Sequence, residues 1–171
     1  GAVHVWIGET ARARFPELFG EDSVSEEGFL IRTLRDESGA HLILAGGGPR
    51  GTLYAEWEFL ERFMGARSFD IDGFVWPESP PKEIPFIDYR WEPPFAYRDS
   101  NFSAFLNAPW FTSINRLNGQ WTALPDRLGG HIGFVHGLRG HGHTFHDFVH
   151  PDEYFDTHPE YFAEIEGERI K

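Results

Sequence analysis

The order of apolar segments predicts an α/β (α+β) fold: a small mixed-sheet domain with helices packed against it. Three observations carry this. The runs Phe29–Leu34 and His41–Ala45 flank the turn-type cluster Asp36-Glu37-Ser38-Gly39, which reads as an antiparallel hairpin. After Gly51, the residues Leu53, Tyr54, Trp57, Leu60 and Met64 recur at three- and four-residue steps, the spacing of one buried helix face. Ahead of both, V-H-V-W-I at residues 3–7 has the alternation of a short strand.

Each element has its stop signal. Gly8 ends the first strand, Thr10 is expected to N-cap a short helix to about Phe19, and Gly20 closes it. Gly65 ends the second helix, residues 51–64; Glu56, Glu58 and Glu61 are expected on its solvent side and Trp57 against the sheet. W-P-E-S-P-P-K-E-I-P, residues 76–85, then reads as a stiff extended connector, which divides the chain into domains 1–85 and 86–171. Beyond it, Phe86–Tyr89 and Phe95–Tyr97 are short strand candidates separated by Pro93-Pro94. Ala108–Leu117 is a helix candidate with Pro109 at its start, and His131–Val135 and His143–Phe148 are short and weakly patterned. Pro151–His158 reads as a helix with Pro in its first turn, and Tyr161–Ile165 as a strand running into Glu166-Gly167.

Composition removes several functions. The 171 residues carry 27 acids against 15 bases, a formal charge of −12, with no Lys/Arg stripe, so a polyanion such as nucleic acid is not expected as a partner. No run approaches the roughly 20 apolar residues of a membrane span. The lack of cysteine excludes a disulfide scaffold, a thiolate metal site and a cysteine nucleophile, and suits a periplasmic or extracellular setting. The chain opens on Gly1 rather than Met, which reads as a processed chain or a fragment.

Two passages carry a family resemblance. L-I-L-A-G-G-G-P-R-G-T-L-Y-A-E-W-E-F-L-E-R-F-M-G-A-R-S-F, residues 42–69, resembles the strand–loop–helix core of the α-glucuronidase (family 67) N-terminal domain and the second domain of family 20 hexosaminidases. There an R-G-x-x-Y step opens a helix and a W-P segment follows, here Arg50, Gly51, Tyr54, Trp76 and Pro77. The second passage, residues 143–169, with H-P-E-Y-F-A at 158–163 and a G-x-R turn at Gly167–Arg169, is similar to bacterial proteins in which such a domain precedes a catalytic-type barrel; N-R-L-N-G at 115–119 fits the same group. The resemblance implies a glycoside-hydrolase-like protein, with residues 86–171 as the start of a (β/α) barrel. A complete barrel takes about 250 residues. A glycosidase also needs two carboxyls about 5–10 Å apart, and in the resembling families they lie further along the barrel. This chain alone is therefore expected to be incomplete and inactive on glycosides.

Within that frame the resemblance places sugar contacts at Arg98, Asp99, Arg116 and His143. Arg98 follows the Phe95–Tyr97 segment, where a barrel strand would release its chain toward the ligand face, and a guanidinium offers five fixed donors. The plain alternative for Arg98 is a structural ion pair with an acid. His143 would end the second barrel strand. It belongs to a cluster with His136, His141, His146 and His150, in which H-G-H-x-x-H-D lacks the Asp of the metallo-hydrolase pattern, so no metal and no cofactor are expected. The loop Gly46–Gly51 lacks the lysine and spacing of a phosphate-binding loop; it reads as a tight β-to-α connection with Arg50 paired to a nearby acid. Pro159 is expected to stop a helix, with Tyr161 and Phe162 packed beneath the barrel. Trp110 and Trp121 are candidates for stacking on a sugar or for core packing.

The leading expectation is thus part of a glycoside hydrolase acting on or binding carbohydrate, uronic-acid or N-acetylhexosamine glycans among them. Its partners would be that carbohydrate and the remainder of the barrel or a further domain. The alternatives are a non-catalytic carbohydrate-binding or scaffold module, and a metal-dependent hydrolase built on the histidine cluster.

Overall fold

The structure, a computed structural model, describes residues 3–20, 23–122, 124–132 and 145–171. By its internal contacts the chain separates into two compact units, Gly1–Gly133 and Phe134–Lys171.

The first unit is organised by a four-stranded mixed sheet. Its strands are β1 (Val3–Ile7), β2 (Phe29–Asp36), β3 (Gly39–Gly46) and β6 (Asp88–Trp91), in the order β1-β3-β2-β6. The hairpin β2–β3 is antiparallel, with Asp36 opposite Gly39 and Phe29 opposite Gly46, as the turn cluster predicts. β1 runs parallel to β3, and β6 runs antiparallel to β2 with Phe29 opposite Trp91. The sheet therefore continues past residues 85 and 86, where the sequence suggests a boundary.

Side-chain alternation gives the sheet two buried faces. Phe29, Ile31, Leu42 and Leu44 point to one face and pack under Tyr54, Ala55 and Phe59 of α2 (Pro49–Glu58) and its continuation. Leu30, Ile43 and Ala45 point to the other, under Ala11 of α1 (Glu9–Arg14) and Phe15 just after it. α1 is shorter than expected, since Pro16–Phe19 forms a separate 3-10 turn. Gly8, not Thr10, occupies its N-cap; the Thr10 hydroxyl instead donates to the Ile7 carbonyl at 2.8 Å.

α2 departs from the anticipated face, and Phe59–Phe63 continues it as a π-helical turn. The sheet-facing positions are Tyr54, Ala55 and Phe59, with Leu60, Phe63 and Met64 beside them. Trp57 is buried, yet its ring meets Phe74, 5.4 Å away, on the small hairpin of β4 (Arg67–Ser68) and β5 (Phe74–Val75). Glu58 is also buried, only 3% exposed, rather than on the solvent side.

After β6 the unit is loop and short helix: α3 (Ser103–Asn107), α4 (Pro109–Ile114) and a 3-10 turn at Asp126–Leu128. Phe95–Tyr97 is not a strand, and among the described residues no barrel is formed. Pro93 and Pro94 withhold the N–H groups a ladder needs just ahead of Phe95.

In the second unit, α5 (Phe145–Phe148) and α6 (Pro151–Tyr154) lead to a 3-10 turn at Pro159–Tyr161 and a hairpin of β7 (Glu164–Ile165) and β8 (Glu168–Arg169). α6 is thus shorter than the anticipated 151–158, and Pro159 opens the 3-10 turn. Phe162 is buried between Phe145 and Phe155, whereas Tyr161 is 48% exposed and stacks on His158. Arg169 donates to the Phe162 carbonyl at 2.8 Å, which ties the G-x-R turn to the H-P-E-Y-F-A segment. No described helix is long and apolar enough to cross a membrane.

Phe29 is fully buried and stacks on Trp91 at 5.3 Å, so it joins the hairpin to the added strand. Phe29→Ala is expected to cost about 3–5 kcal/mol in a denaturant titration. A loss below about 1 kcal/mol would contradict this account of the core.

Candidate functional site

The candidate site is built from two loops that interlock: residues 95–99 after β6, and residues 115–122 after α4. The N–H groups of Asn118 and Gly119 both donate to the Arg98 carbonyl, at 2.8 and 2.9 Å, and the Arg98 N–H donates to Asn118 Oδ1 at 2.8 Å. Asn118 is fully buried, and its amide also donates to the Ala96 carbonyl at 2.8 Å. Gly119 has a steric reason: a Cβ there would overlap the Asp99 carboxylate.

Beneath the loops lies a largely buried carboxylate, Glu27, its side chain 14% exposed, on the segment leading into β2. One of its oxygens accepts from Arg50 and the other from Arg98, while Asn118 Nδ2 lies 3.0 Å from both. Arg50 stands at the start of α2 and donates also to the carbonyls of Leu128, at 3.0 Å, and Gly130. This is the β-to-α connection with an arginine paired to an acid that the glycine loop suggested. Its tightness is steric, since a Cβ on Gly47 would meet the Ser25 carbonyl.

Burial pushes the Glu27 carboxyl up, but hydrogen bonds from Arg98 and Asn118 and the charges of Arg50 and Arg98 outweigh it and hold the group below its ordinary value. Close to this cluster Tyr54 is fully buried, and burial, followed by the Glu27 charge, pushes its hydroxyl above the ordinary value.

A second node sits about two turns further along α2. Glu58 accepts from Arg62 and from Arg116, and Arg116 lies over the rings of Trp91 and Phe29 at 4.6 and 5.5 Å. Burial raises the Glu58 carboxyl, and the two arginines bring it below its ordinary value. Arg116 has φ +58 and occupies the position past the end of α4 that glycine usually takes. The turn closes with Arg116 N–H to Ser113 and Leu117 N–H to Thr112, at 3.0 and 3.2 Å. A left-handed non-glycine residue costs about 1–3 kcal/mol; here the arginine side chain is what the position supplies.

Arg98 and Arg116 thus come together, the Arg98 Nε donating to the Arg116 carbonyl at 2.6 Å. Arg98 donates further to the Phe95 carbonyl and is 12% exposed, so its donor fork is spent inside the protein as the structural ion pair the sequence offered as the plain alternative. Asp99 is its neighbour in the chain. It accepts from the Tyr97 hydroxyl at 2.6 Å, from Ser100 N–H at 2.8 Å and from Trp121 N–H at 3.3 Å. Trp110 and Trp121 remain 42% and 45% exposed, which sets both apart from the core.

His143, with His136 and His141, lies outside the described residues. His146 stacks edge-on against Phe145, and His150 Nδ1 accepts from Asp152 N–H at the start of α6. Among the described residues no group of three His, Asp or Glu is placed to hold a metal ion. The sequence reading missed Glu27, Glu58 and Asn118. The signal available for Asn118 was its place in N-R-L-N-G; Glu27 stands in an acidic string, S-E-E-G, that reads as solvated loop.

Because Glu27 and Glu58 are held below the ordinary value of 4.5, the unfolded chain takes up protons first as pH falls. Their contribution is complete above that value and is lost progressively below it. Urea midpoints are expected to fall between about pH 6 and about pH 3.5, and Glu27→Gln should flatten this dependence while lowering stability at the higher pH. An unchanged slope in Glu27→Gln would show that the carboxylate is not held ionised by its arginines.

A family model described as a domain of unknown function, DUF4838, matches residues 69–171. That range takes in β5, β6, both interlocked loops, N-R-L-N-G and H-P-E-Y-F-A. No curated protein and no solved structure matches the chain. With more than half of its residues inside the match, the chain belongs to the DUF4838 family.

Proposed function

We propose that this chain is part of a carbohydrate-active protein of the glycoside-hydrolase type, and that its interlocked loops bind sugar. The observation that carries the reading is Trp121, half exposed and hydrogen-bonded through its backbone to the anchored Asp99. An indole face takes the apolar face of a pyranose ring, and a fixed carboxylate takes its hydroxyls. Asp99 has about four acceptor positions, of which three are filled by the bonds described above. Arg98 and Arg116 serve as positioning residues, since their side chains face Glu27 and Glu58. His143 remains a proposed sugar contact on the resemblance alone.

The (β/α) barrel for residues 86–171, the domain division at residue 85 and a periplasmic or extracellular setting belong to the same proposal and rest on the family resemblance and composition. So does an activity on uronic-acid or N-acetylhexosamine glycans. A second reading, a module that binds carbohydrate without hydrolysing it, is favoured by the state of the buried carboxylates. Glu27 and Glu58 are held ionised, whereas a general acid needs a raised pKa.

Isothermal titration with gluco- and xylo-oligosaccharides is the direct test. The expected result is saturable binding that Trp121→Ala weakens by about tenfold or more, with the variant still folded. Equal affinity in Trp121→Ala would remove the loops from the site, and no binding of either series would remove the carbohydrate reading. Chromogenic glucuronides and N-acetylhexosaminides distinguish the two readings: turnover lost with Trp121→Ala supports the hydrolase, and binding without turnover supports the module.

A further inference from the structure

A second feature of the first unit lies away from the interlocked loops. On the sheet face under α1, β6 places Arg90 opposite Leu30 and Asp88 opposite Arg32. The cover over this face is short, because α1 gives way to the 3-10 turn Pro16–Phe19. Between that turn and strands β2 and β6 opens a cleft of about 310 Å³, which falls at the lower end of small-molecule pockets, about 300–1,000 Å³.

The lining alternates in chemistry. Leu18 and Leu30 supply apolar surface, and Glu17, Arg32, Asp88 and Arg90 supply the polar groups. Arg32 is directed by a fork onto Asp88, with Nε at 3.1 Å from Oδ1. Arg90 is different. Its nearest carboxylate, Glu92, is 3.7 Å away, beyond hydrogen-bond range, and that carboxylate is held by the Ser25 N–H and hydroxyl. Among the described residues, Arg90 has no hydrogen bond, so its N–H groups are available to a ligand in the cleft.

Two cations and two anions line the cleft, so its local charge is balanced, while the chain as a whole carries −12. An anionic ligand gains nothing from long-range attraction here. A neutral polyol fits better, since guanidinium donors and carboxylate acceptors together satisfy both halves of a vicinal diol, and leucines meet the C–H face of a ring. We propose that this cleft is a binding site for a neutral pyranose sugar, with Arg90 as the hydroxyl donor, Asp88 and Glu17 as acceptors and Leu18 and Leu30 as the apolar contact. It is separate from the Asp99–Trp121 loops and does not depend on sugar binding there.

The test is an amide-resolved NMR titration of this chain with methyl β-glucopyranoside, methyl β-xylopyranoside and glucuronate, in wild type, Arg90→Gln, Asp88→Asn and Trp121→Ala. Saturable shifts from a neutral glycoside at Leu18, Leu30, Asp88 and Arg90 are expected. Arg90→Gln should weaken them by about tenfold or more, the worth of one charged hydrogen bond, and Trp121→Ala should leave them unchanged. Arg90 is about half exposed, so Arg90→Gln is not expected to perturb the fold. The proposal is overturned if no glycoside gives saturable shifts at the cleft at its highest soluble concentration. It is equally overturned if Arg90→Gln and Asp88→Asn bind like wild type, or if glucuronate binds more tightly than both neutral glycosides. Shifts confined to Asp99 and Trp121 would overturn it while supporting the loop site.

Discussion

The carboxylate of Glu27, held between Arg50 and Arg98, is the contact on which the arrangement of the first unit depends. Each partner brings a different piece of chain. Arg50 brings the start of α2 and, through the carbonyls of Leu128 and Gly130, the turn after Asp126. Arg98 brings the loop after β6, and Asn118 brings the loop after α4. Desolvation offsets much of the attraction in a buried ion pair, so the node adds less net stability than its geometry suggests. Its physical weight lies in exclusivity: removing one member leaves a buried charge without a counter-ion, and alternative packings of the three segments face the same penalty.

Glu58, Arg62 and Arg116 repeat the device about two turns along α2 and add aromatic contact, since the Arg116 guanidinium covers Trp91 and Phe29. The polar loops are thereby pinned to the hydrophobic core at two points on one helix. The pinning reaches the surface through Arg98, whose carbonyl takes two N–H groups of the opposite loop. Asp99 and Trp121 follow on those loops and are held against each other as a consequence. The proposed sugar contact is therefore rigid because of charges that do not themselves touch sugar.

The sequence made the local elements legible. The β2–β3 hairpin, the strand at residues 3–7, a helix from about residue 51, which the structure opens at Pro49, and the pairing of Arg50 with an acid all follow from turn chemistry and short-range periodicity. What was not legible depends on long-range partners. On α2 the sheet-facing residues are Tyr54, Ala55 and Phe59, while Trp57 meets Phe74 and Glu58, one turn on from Tyr54, faces two arginines. No residue near Asp88–Trp91 announces that this strand pairs with β2 across more than fifty positions. Arg98 was singled out by its place after a supposed strand, whereas what fixes it is Glu27, whose neighbours read as exposed loop. N-R-L-N-G drew attention as a family mark, and its physical content is one arginine for Glu58, one asparagine for Glu27 and one glycine for Asp99.

A double-mutant cycle between Glu27→Gln and Arg98→Met, read by denaturant unfolding, tests the central claim most directly, because it isolates the coupling from the cost of each truncation. The account predicts a coupling of about 1–3 kcal/mol, the double variant being less destabilised than the sum of the singles. A coupling within about 0.3–0.5 kcal/mol of zero, the range of independent sites, would contradict it and leave the two loops held by packing alone.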